Sequence, residues 1–169
     1  NALAAAAAAH ALGVSLFGIA TGLGAVQPVK GRTVAQLATN GMRVIDDTYN
    51  ANPSSVNAAV DLLKGFDGRK VLVLGDIGEL GDWAEQGHRE VGAYAAGKVD
   101  ALYAVGTNMA HAVSAFGPGA RHFATQAELI QALGVAEQDK HTTILIKGSR
   151  SAVMENVVAA LCGSSTEKH

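Results

Sequence analysis

Short apolar runs that alternate with segments of helical periodicity constrain this chain more than any other feature of its sequence. The apolar runs are predicted strands at residues 71–74, 101–105, 122–123 and 142–146, and helical segments lie between and after them. Strand–helix–strand units place their strands in parallel, with the helices packed against the sheet. We therefore predict an α/β fold with a parallel sheet that is covered on both faces.

A predicted β-hairpin precedes these units. Residues 33–38 alternate polar and apolar side chains, Asn40-Gly41 is the dipeptide most typical of a tight hairpin turn, and residues 42–46 form the returning strand. The predicted fold is thus Rossmann-like: a mostly parallel sheet with an amino-terminal antiparallel hairpin and helices on both faces.

Three helix starts carry capping signals. Asn52 precedes Pro53, and an asparagine can accept a bond from the first amides of a helix, while proline is tolerated at the first helical position. Asp82 with Glu85 three residues later resembles a capping box. Ser151 is the candidate cap of a last helix that extends to about residue 161.

The first 28 residues differ in character from the rest. Residues 2–9 are alanine except for Leu3, and a second helical segment runs from Ser15 to about Gly24. Alanine favours a helix, but a run so uniform in polarity cannot cover a core by itself. We expect a buried helix whose packing partners are absent, in a chain cut from a longer protein. Residues 27–32, with Pro, Gly and two cations, are the best linker candidate.

Composition excludes several classes of function. The net charge is −2 with both signs interspersed, so the sequence offers no basic surface for nucleic acid or an anionic membrane. The apolar stretch over residues 2–12 is shorter than the roughly 20 residues of a membrane span. A single cysteine, Cys162, excludes an internal disulfide and indicates a reducing, cytoplasmic compartment. The six histidines are scattered, and we predict no metal site.

Ligands of open parallel sheets bind outside the carboxyl ends of the strands, and this rule selects four loops. They are residues 46–52, 75–82, 106–108 and 147–151. The first combines two carboxylates, a hydroxyl, a phenol and two amides, which suit ribose hydroxyls, an amine or a magnesium-bound water. The alternative is a polar turn in which Asn52 caps a helix and the other side chains bond locally.

The second loop does not form a dinucleotide-binding fingerprint. Its glycines are spaced three and three, whereas the fingerprint needs two and then three. Its acidic side chains, Asp76, Glu79 and Asp82, would also repel a pyrophosphate. We interpret this loop as tight turns followed by an acidic helix start, and the third loop as a turn and cap.

The fourth loop, Lys147-Gly148-Ser149-Arg150-Ser151, is a candidate anion site. It offers two cations, two hydroxyls and the unpaired amides expected at a helix start, which together favour phosphate or carboxylate. The alternative is that Lys147 and Arg150 are solvated and Ser151 only caps the last helix.

Five runs, taken together, resemble the MurF branch of the Mur ligases over nearly the whole chain. They are Asn1-Ala2-Leu3-Ala4-Ala5, Val29-Lys30-Gly31-Arg32, Asp46-Asp47-Thr48-Tyr49-Asn50-Ala51-Asn52-Pro53, Gly75-Asp76-Ile77-Gly78-Glu79-Leu80-Gly81 and Lys147-Gly148-Ser149-Arg150-Ser151. Each run alone is weak, but five in order at matching separations are specific. The resemblance implies that residues 1–28 end a central ATPase domain, that residues 29–162 are a complete third domain, and that residues 163–169 are a disordered tail.

The resemblance also implies an ATP-dependent ligase of peptidoglycan precursor synthesis. In that family ATP, with Mg²⁺, phosphorylates the terminal carboxylate of UDP-N-acetylmuramoyl-tripeptide, and the amine of D-alanyl-D-alanine attacks the acyl phosphate through a tetrahedral intermediate. The family's phosphate loop and magnesium ligands have no counterpart in this sequence. We therefore expect the isolated chain to be inactive without the amino-terminal and central domains.

Residue roles follow from the same resemblance. Asn1 falls on the asparagine that contacts adenine, Arg32 on the arginine that reaches the ATP phosphates on domain closure, and Asp47 on the aspartate near the ribose. Arg32 is the implied catalytic residue, because a guanidinium offsets charge on a transferring phosphoryl group. Loop placement and substrate charge assign the dipeptide to Asn50, Asn52, Ser149 and Arg150.

Two alternatives stay open at this point. A ligase domain like that of folylpolyglutamate synthase shares the architecture, although the Tyr49-Asn50-Ala51-Asn52-Pro53 run is not expected there. A stand-alone, non-enzymatic module that binds a nucleotide or another anion would also fit the four loops.

Overall fold

The computed structural model describes residues 2–26 and 29–163. Seven α-helices and six β-strands lie in these ranges: α1 (Ala2–Ala11), α2 (Leu16–Gly24), β1 (Val34–Leu37), β2 (Arg43–Asp47), α3 (Pro53–Lys64), β3 (Arg69–Gly75), α4 (Ala84–Ala95), β4 (Ala101–Val105), α5 (Met109–Phe116), β5 (Ala120–Phe123), α6 (Gln126–Ala136), β6 (Thr142–Lys147) and α7 (Glu155–Cys162). Two short 3₁₀ helices cover Gly81–Trp83 and Arg150–Ala152.

The strands form one sheet in the order β1-β2-β6-β3-β4-β5. Strand β1 pairs with β2 in antiparallel fashion, and the other neighbours are parallel. The predicted fold class is therefore confirmed. The register places Asp47, the last residue of β2, beside Lys147, the last residue of β6, so two oppositely charged side chains meet at the carboxyl edge of the sheet.

Apolar side chains from the two faces of the sheet form two core layers. Leu72 and Leu74 of β3 pack with helices α3, α4 and α5, whereas Val71 and Val73 pack with α6 and α7. All four side chains are at most 1% exposed. Burying one such side chain contributes about 1.5–3 kcal/mol, so this alternation on a central strand fixes which helices cover which face.

Helix α3 begins as predicted. The Asn52 Oδ1 accepts the Ser55 amide at 2.8 Å, the Ser55 hydroxyl accepts the Asn52 amide in return at 3.0 Å, and Pro53 occupies the first helical position. This reciprocal cap fixes the end of the polar loop that follows β2.

The capping box predicted for Asp82 and Glu85 is wrong. Asp82 lies inside the 3₁₀ turn Gly81–Trp83, so α4 begins only at Ala84 and has no side-chain cap. The Glu85 carboxylate instead accepts a bond from Arg89 one turn later at 2.9 Å.

The start predicted for the last helix is also wrong. Arg150–Ala152 is a 3₁₀ turn, Val153 adopts a left-handed conformation (φ 47°), and α7 begins at Glu155. The left-handed residue interrupts the helix, so Ser151 does not cap α7. The amides of Ala152 and Val153 donate to Ser149 and Arg150 carbonyls within the turn, so they are not available to an anion.

The two amino-terminal helices bury no residue. Ser15 caps α2 by accepting the Gly18 amide at 3.1 Å, and Gly13 (φ 83°) separates the helices. Leu3 and Phe17 are more than 80% exposed.

Among the described residues, no helix is long and apolar enough to cross a membrane. The boundary at residue 28 and, apart from Gly163, the tail predicted at 163–169 lie outside the described residues, and both stay predictions.

Candidate functional site

An open groove of about 720 Å³ lies at the carboxyl edge of the sheet, between the segment that enters β1 and the start of α3. The residues that line it are Gly31, Arg32, Thr33, Asp47, Tyr49, Asn50, Ala51, Asn52, Ser55, Ala58, Ala59, Leu62 and Lys147. The structure thus brings together four side chains that the sequence selected: Arg32, Asp47, Asn50 and Asn52.

Asp47 accepts three hydrogen bonds through its carboxylate. Its Oδ1 accepts the Thr33 amide at 3.0 Å and the Thr33 hydroxyl at 3.1 Å. Its Oδ2 accepts a bond from the Lys147 Nζ at 2.7 Å. A carboxylate has about four acceptor positions. One position therefore remains for a hydroxyl from a ligand, and the neighbouring ammonium offsets the carboxylate's charge.

Lys147 joins the ends of two strands to the loop between β2 and α3. Besides Asp47 Oδ2, its Nζ donates to the Asn50 carbonyl at 2.8 Å and to the Asp47 carbonyl at 3.4 Å. The Lys147 side chain is only 5% exposed, so all three donor positions of its ammonium point at protein acceptors. Sequence reasoning named Lys147 as a loop cation and missed this role.

Arg32 lies against an aromatic ring at the rim of the groove. Its guanidinium carbon is 4.2 Å from the centre of the Tyr49 ring, a cation–π distance. Within residues 2–26 and 29–163, the Arg32 guanidinium forms no ion pair or hydrogen bond, which leaves its donors available to an anion. Gly31 makes this approach possible, because at φ 76° a Cβ would lie 2.9 Å from the Tyr49 amide nitrogen.

The two asparagines of the groove are used differently. Asn52 commits its Oδ1 to the helix cap, so only its amide nitrogen remains for a ligand. Asn50 is exposed, and its Oδ1 accepts the neighbouring Ala51 amide at 2.9 Å. Asp46, the other carboxylate of this loop, is buried and accepts the Thr48 hydroxyl at 2.6 Å, so its role is to close the turn.

Ser149 and Arg150 lie outside the main groove. Ser149 is 4% exposed, its amide donates to the Asp76 carbonyl, and its hydroxyl is 3.1 Å from that of Ser151. Arg150 lines a smaller cleft of about 310 Å³, which shares Gly31 and Tyr49 with the main groove. The Arg150 Nη1 bonds to Glu155 at 2.9 Å. The helix start on which the predicted anion site relied lies at Glu155 and not at Ser151, and the assignment of Ser149 and Arg150 to the dipeptide stays a prediction.

The glycine-rich second loop has a structural role in this fold. Asp76 accepts the Met109 amide at 3.0 Å and the Asn108 amide at 3.4 Å, and so caps α5 from a neighbouring strand. The buried His88 contacts the Ile77 amide through Nε2 and the Ala84 carbonyl through Nδ1, so both ring nitrogens have protein partners. Neither side chain belongs to the groove. Asn1, the remaining predicted nucleotide contact, lies outside the described residues.

The sheet order and the edge groove define the class of the protein as an open, Rossmann-like α/β domain with a polar ligand groove. A family model described as "Mur ligase, glutamate ligase domain" matches residues 31–150. The chain belongs to the Mur ligase family.

Relatives are similar over almost the whole chain. The UDP-N-acetylmuramoyl-tripeptide–D-alanyl-D-alanine ligase of Escherichia coli (strain K12) is 46% identical over 98% of the chain. The crystal structure of MurF from Acinetobacter baumannii superposes with a TM-score of 0.86 at 41% identity and covers 96% of the chain. The chain spans only 37% of the first relative's length and 36% of the second's.

The folylpolyglutamate synthase alternative has a matching fold. The bifunctional folylpolyglutamate synthase/dihydrofolate synthase of Yersinia pestis superposes with a TM-score of 0.60 over 86% of this chain and 34% of its own. At 19% identity, this similarity is one of fold alone.

Proposed function

We propose that this chain supplies the third domain of an ATP-dependent ligase that joins D-alanyl-D-alanine to UDP-N-acetylmuramoyl-tripeptide in peptidoglycan precursor synthesis. The observation that carries the proposal is the 46% identity with the E. coli enzyme over 98% of the chain. The groove supports it, because it offers an arginine that has no charged partner among the described residues, beside a carboxylate with one open acceptor position. These are the groups that a nucleotide's phosphates and sugar require.

We further propose that residues 1–28 end a central ATPase domain and that residues 29–162 are the third domain. Support comes from burial, since α1 and α2 bury no residue, whereas the core begins at Ala38 and continues in β2 and the elements after it. Leu3 and Phe17 would then be covered by the central domain. The family match, which begins at residue 31, agrees with this boundary.

Arg32 and Asp47 are the groups proposed to meet ATP, with Asn1 at the adenine. When bound, ATP supplies the phosphoryl group that activates the carboxylate substrate. Arg32 offsets phosphate charge with a planar guanidinium that stays protonated, and the Tyr49 ring beside it restricts where that guanidinium lies. Asp47 accepts a ribose hydroxyl at its open position. We assign Mg²⁺ to ligands outside this chain and the reaction to the cytoplasm, where ATP is available.

The dipeptide is proposed to lie between the groove and the cleft of Arg150. Its carboxylate would replace Glu155 as the partner of Arg150. That exchange is inexpensive, because the Arg150 side chain is 67% exposed and such surface ion pairs contribute about 0–1 kcal/mol. Asn50 and Asn52 would contact the peptide amide, and Ser149 would keep the cleft polar.

The coding sequence upstream of Asn1 provides a direct test. We expect it to encode a glycine-rich phosphate loop that ends in Gly-Lys-Thr or Gly-Lys-Ser, because the sequence contains no such loop of its own. An open reading frame that begins close to Asn1 would instead favour a stand-alone binding module.

A further inference from the structure

We propose that Lys147 and Asp47 are a pair of positioning residues that hold Arg32 at the groove by way of Thr33. This deepens the proposed function, because it names the residues that prepare Arg32 for its phosphate partner. We call Lys147, Asp47 and Thr33 the clamp. The clamp is a property of this chain, and its effect on Arg32 can be measured without catalysis.

The first part of the clamp is the ion pair between the strand ends. Lys147 and Asp47 side chains are 5% and 17% exposed, and 2.7 Å separates Nζ from Oδ2. A pair this well covered has little competition from water, so its geometry is held more firmly than that of a surface pair. The carbonyl of Asn50 accepts a further Lys147 proton, which ties the loop before α3 to the same ammonium.

The second part is the strained residue next to Arg32. Thr33 has φ 55°, a left-handed conformation that is a genuine outlier for a β-branched side chain. Such strain persists only where the surroundings impose it. Here the amide and the hydroxyl of Thr33 both donate to Asp47 Oδ1, and the charge of Asp47 is in turn held by Lys147.

The backbone on the other side of Arg32 is fixed as well. The Gly31 carbonyl accepts the Tyr49 amide at 2.9 Å, and the Arg32 amide donates to the Val29 carbonyl at 3.0 Å. Arg32 therefore sits between two anchored residues, Gly31 and Thr33, with Tyr49 beneath its guanidinium. If Lys147 is removed, Asp47 becomes an unpaired carboxylate that turns toward water. Thr33 then relaxes to an ordinary conformation, and Arg32 moves off the ring.

Solution NMR on the chain with Lys147→Met tests the clamp. In the unmodified chain we expect the Tyr49 ring current to shift the Arg32 side-chain resonances upfield and the Thr33 amide to exchange slowly. Lys147→Met should abolish the Arg32 shift and accelerate Thr33 exchange roughly tenfold or more, while amides of the core strands keep their protection. Lys70→Met is the matched control, because Lys70 also pairs with an aspartate, Asp100, but at the opposite edge of the sheet.

Three NMR outcomes would overturn the clamp. They are an unchanged Arg32 shift in Lys147→Met, an unchanged Thr33 exchange rate, and an equal effect of Lys70→Met. If Lys147→Met does not fold, Asp47→Ala is the second variant, because it removes the acceptor of both Thr33 donors. The clamp then predicts loss of the Arg32 shift with the fold intact, and a retained shift contradicts it.

A kinetic comparison in the complete ligase separates this inference from the proposed function. Lys147→Met should lower kcat roughly tenfold to a hundredfold, as expected when a group is displaced by about 1 Å, and it should also raise the KM for ATP, because Asp47 no longer meets the ribose hydroxyl. Added to Arg32→Ala, it should lower kcat no further, because it acts through Arg32. Full kcat in Lys147→Met refutes the clamp while the ligase assignment stands. A complete protein without ligase activity refutes the assignment, and the NMR result still decides the clamp.

Discussion

At the scale of single residues, the groove is built from side chains that shape the backbone and also face the solvent. Asn52 and Asn50 differ in how far their side chains are used by the fold itself. The Oδ1 of Asn52 accepts bonds from the Ser55 amide and the Ser54 hydroxyl, whereas the Asn50 side chain, within the part of the chain that the structure describes, bonds only to the next amide. A stability measurement can therefore separate a structural asparagine from one that is available to substrate.

Asn52→Ala should lower the free energy of unfolding by about 1 kcal/mol, the usual effect of losing a helix cap. Asn50→Ala is the matched control and should change it by less than about 0.5 kcal/mol, as for other exposed positions. Urea unfolding of both variants checks this. An Asn50→Ala variant less stable than Asn52→Ala would show that the loop depends on contacts other than the cap.

Arg32 gives the second residue-scale prediction, in the complete ligase. Arg32→Ala should lower kcat by more than it raises the KM for ATP, because the phosphate contact forms mainly on domain closure. Steady-state kinetics with ATP varied measures both quantities, and Arg121→Ala, at an exposed position on β5, serves as the control. Unchanged turnover in Arg32→Ala would mean that Arg32 is only a linker residue.

At the scale of helices and strands, the buried elements were predictable because their apolar runs have one interpretation. Strand β4 occupies residues 101–105, as predicted, and every one of its residues is buried. The wrong predictions concern the starts of α4 and α7, where a short 3₁₀ turn precedes the helix. The local sequence does not predict the 3₁₀ turn at Asp82 or the left-handed conformation of Val153. Tertiary packing imposes both conformations.

The groove was predictable only in part, for a topological reason. The sequence marks Asp47 and Lys147 as charges at strand ends, but it does not show that β2 and β6 are neighbours. That adjacency, across 100 positions of chain, pairs the two side chains and so occupies one acceptor position of Asp47. The sequence around Thr33 does not indicate its role, because that role depends on the pairing of Asp47 with Lys147.

Helix α6 and strands β3 and β4 are joined by a buried carboxylate, and this contact predicts an effect of pH. The Tyr103 hydroxyl and the Arg69 guanidinium both donate to Glu137, which is 1% exposed. Burial, and then the charge of Glu137, raise the pKa of Tyr103 above its ordinary value.

The folded state therefore holds the Tyr103 proton more tightly than the unfolded state does. The stabilisation is complete below the unfolded pKa of about 10 and is lost as the pH rises toward the higher folded value. Tyr103→Phe cannot ionise, so its stability should fall less steeply between about pH 9 and 11. Thermal unfolding as a function of pH measures this, with Tyr94→Phe as the control. Equal slopes for Tyr103→Phe and the unmodified chain would refute it.

At the scale of the whole molecule, the exposed surface and the length of the chain both support the proposal that further domains complete the site. The amino-terminal helices expose large apolar side chains, the groove is open on one side, and the chain spans 37% of the length of the E. coli relative. We therefore expect the isolated chain to show no ATPase activity. It should bind D-alanyl-D-alanine no better than roughly millimolar, about 4 kcal/mol.

A chimera gives the most direct measurement of the central claim. This chain replaces the segment of the E. coli ligase that it matches, and ADP release is followed with UDP-N-acetylmuramoyl-tripeptide and D-alanyl-D-alanine. We predict ADP release that requires both substrates, at a rate within roughly a hundredfold of the parent enzyme, since small errors in domain placement can cost that much. The same chimera with Arg32→Ala is the control and should be slower still. A folded chimera that releases no ADP with the dipeptide, or that accepts glutamate in its place, would contradict the account.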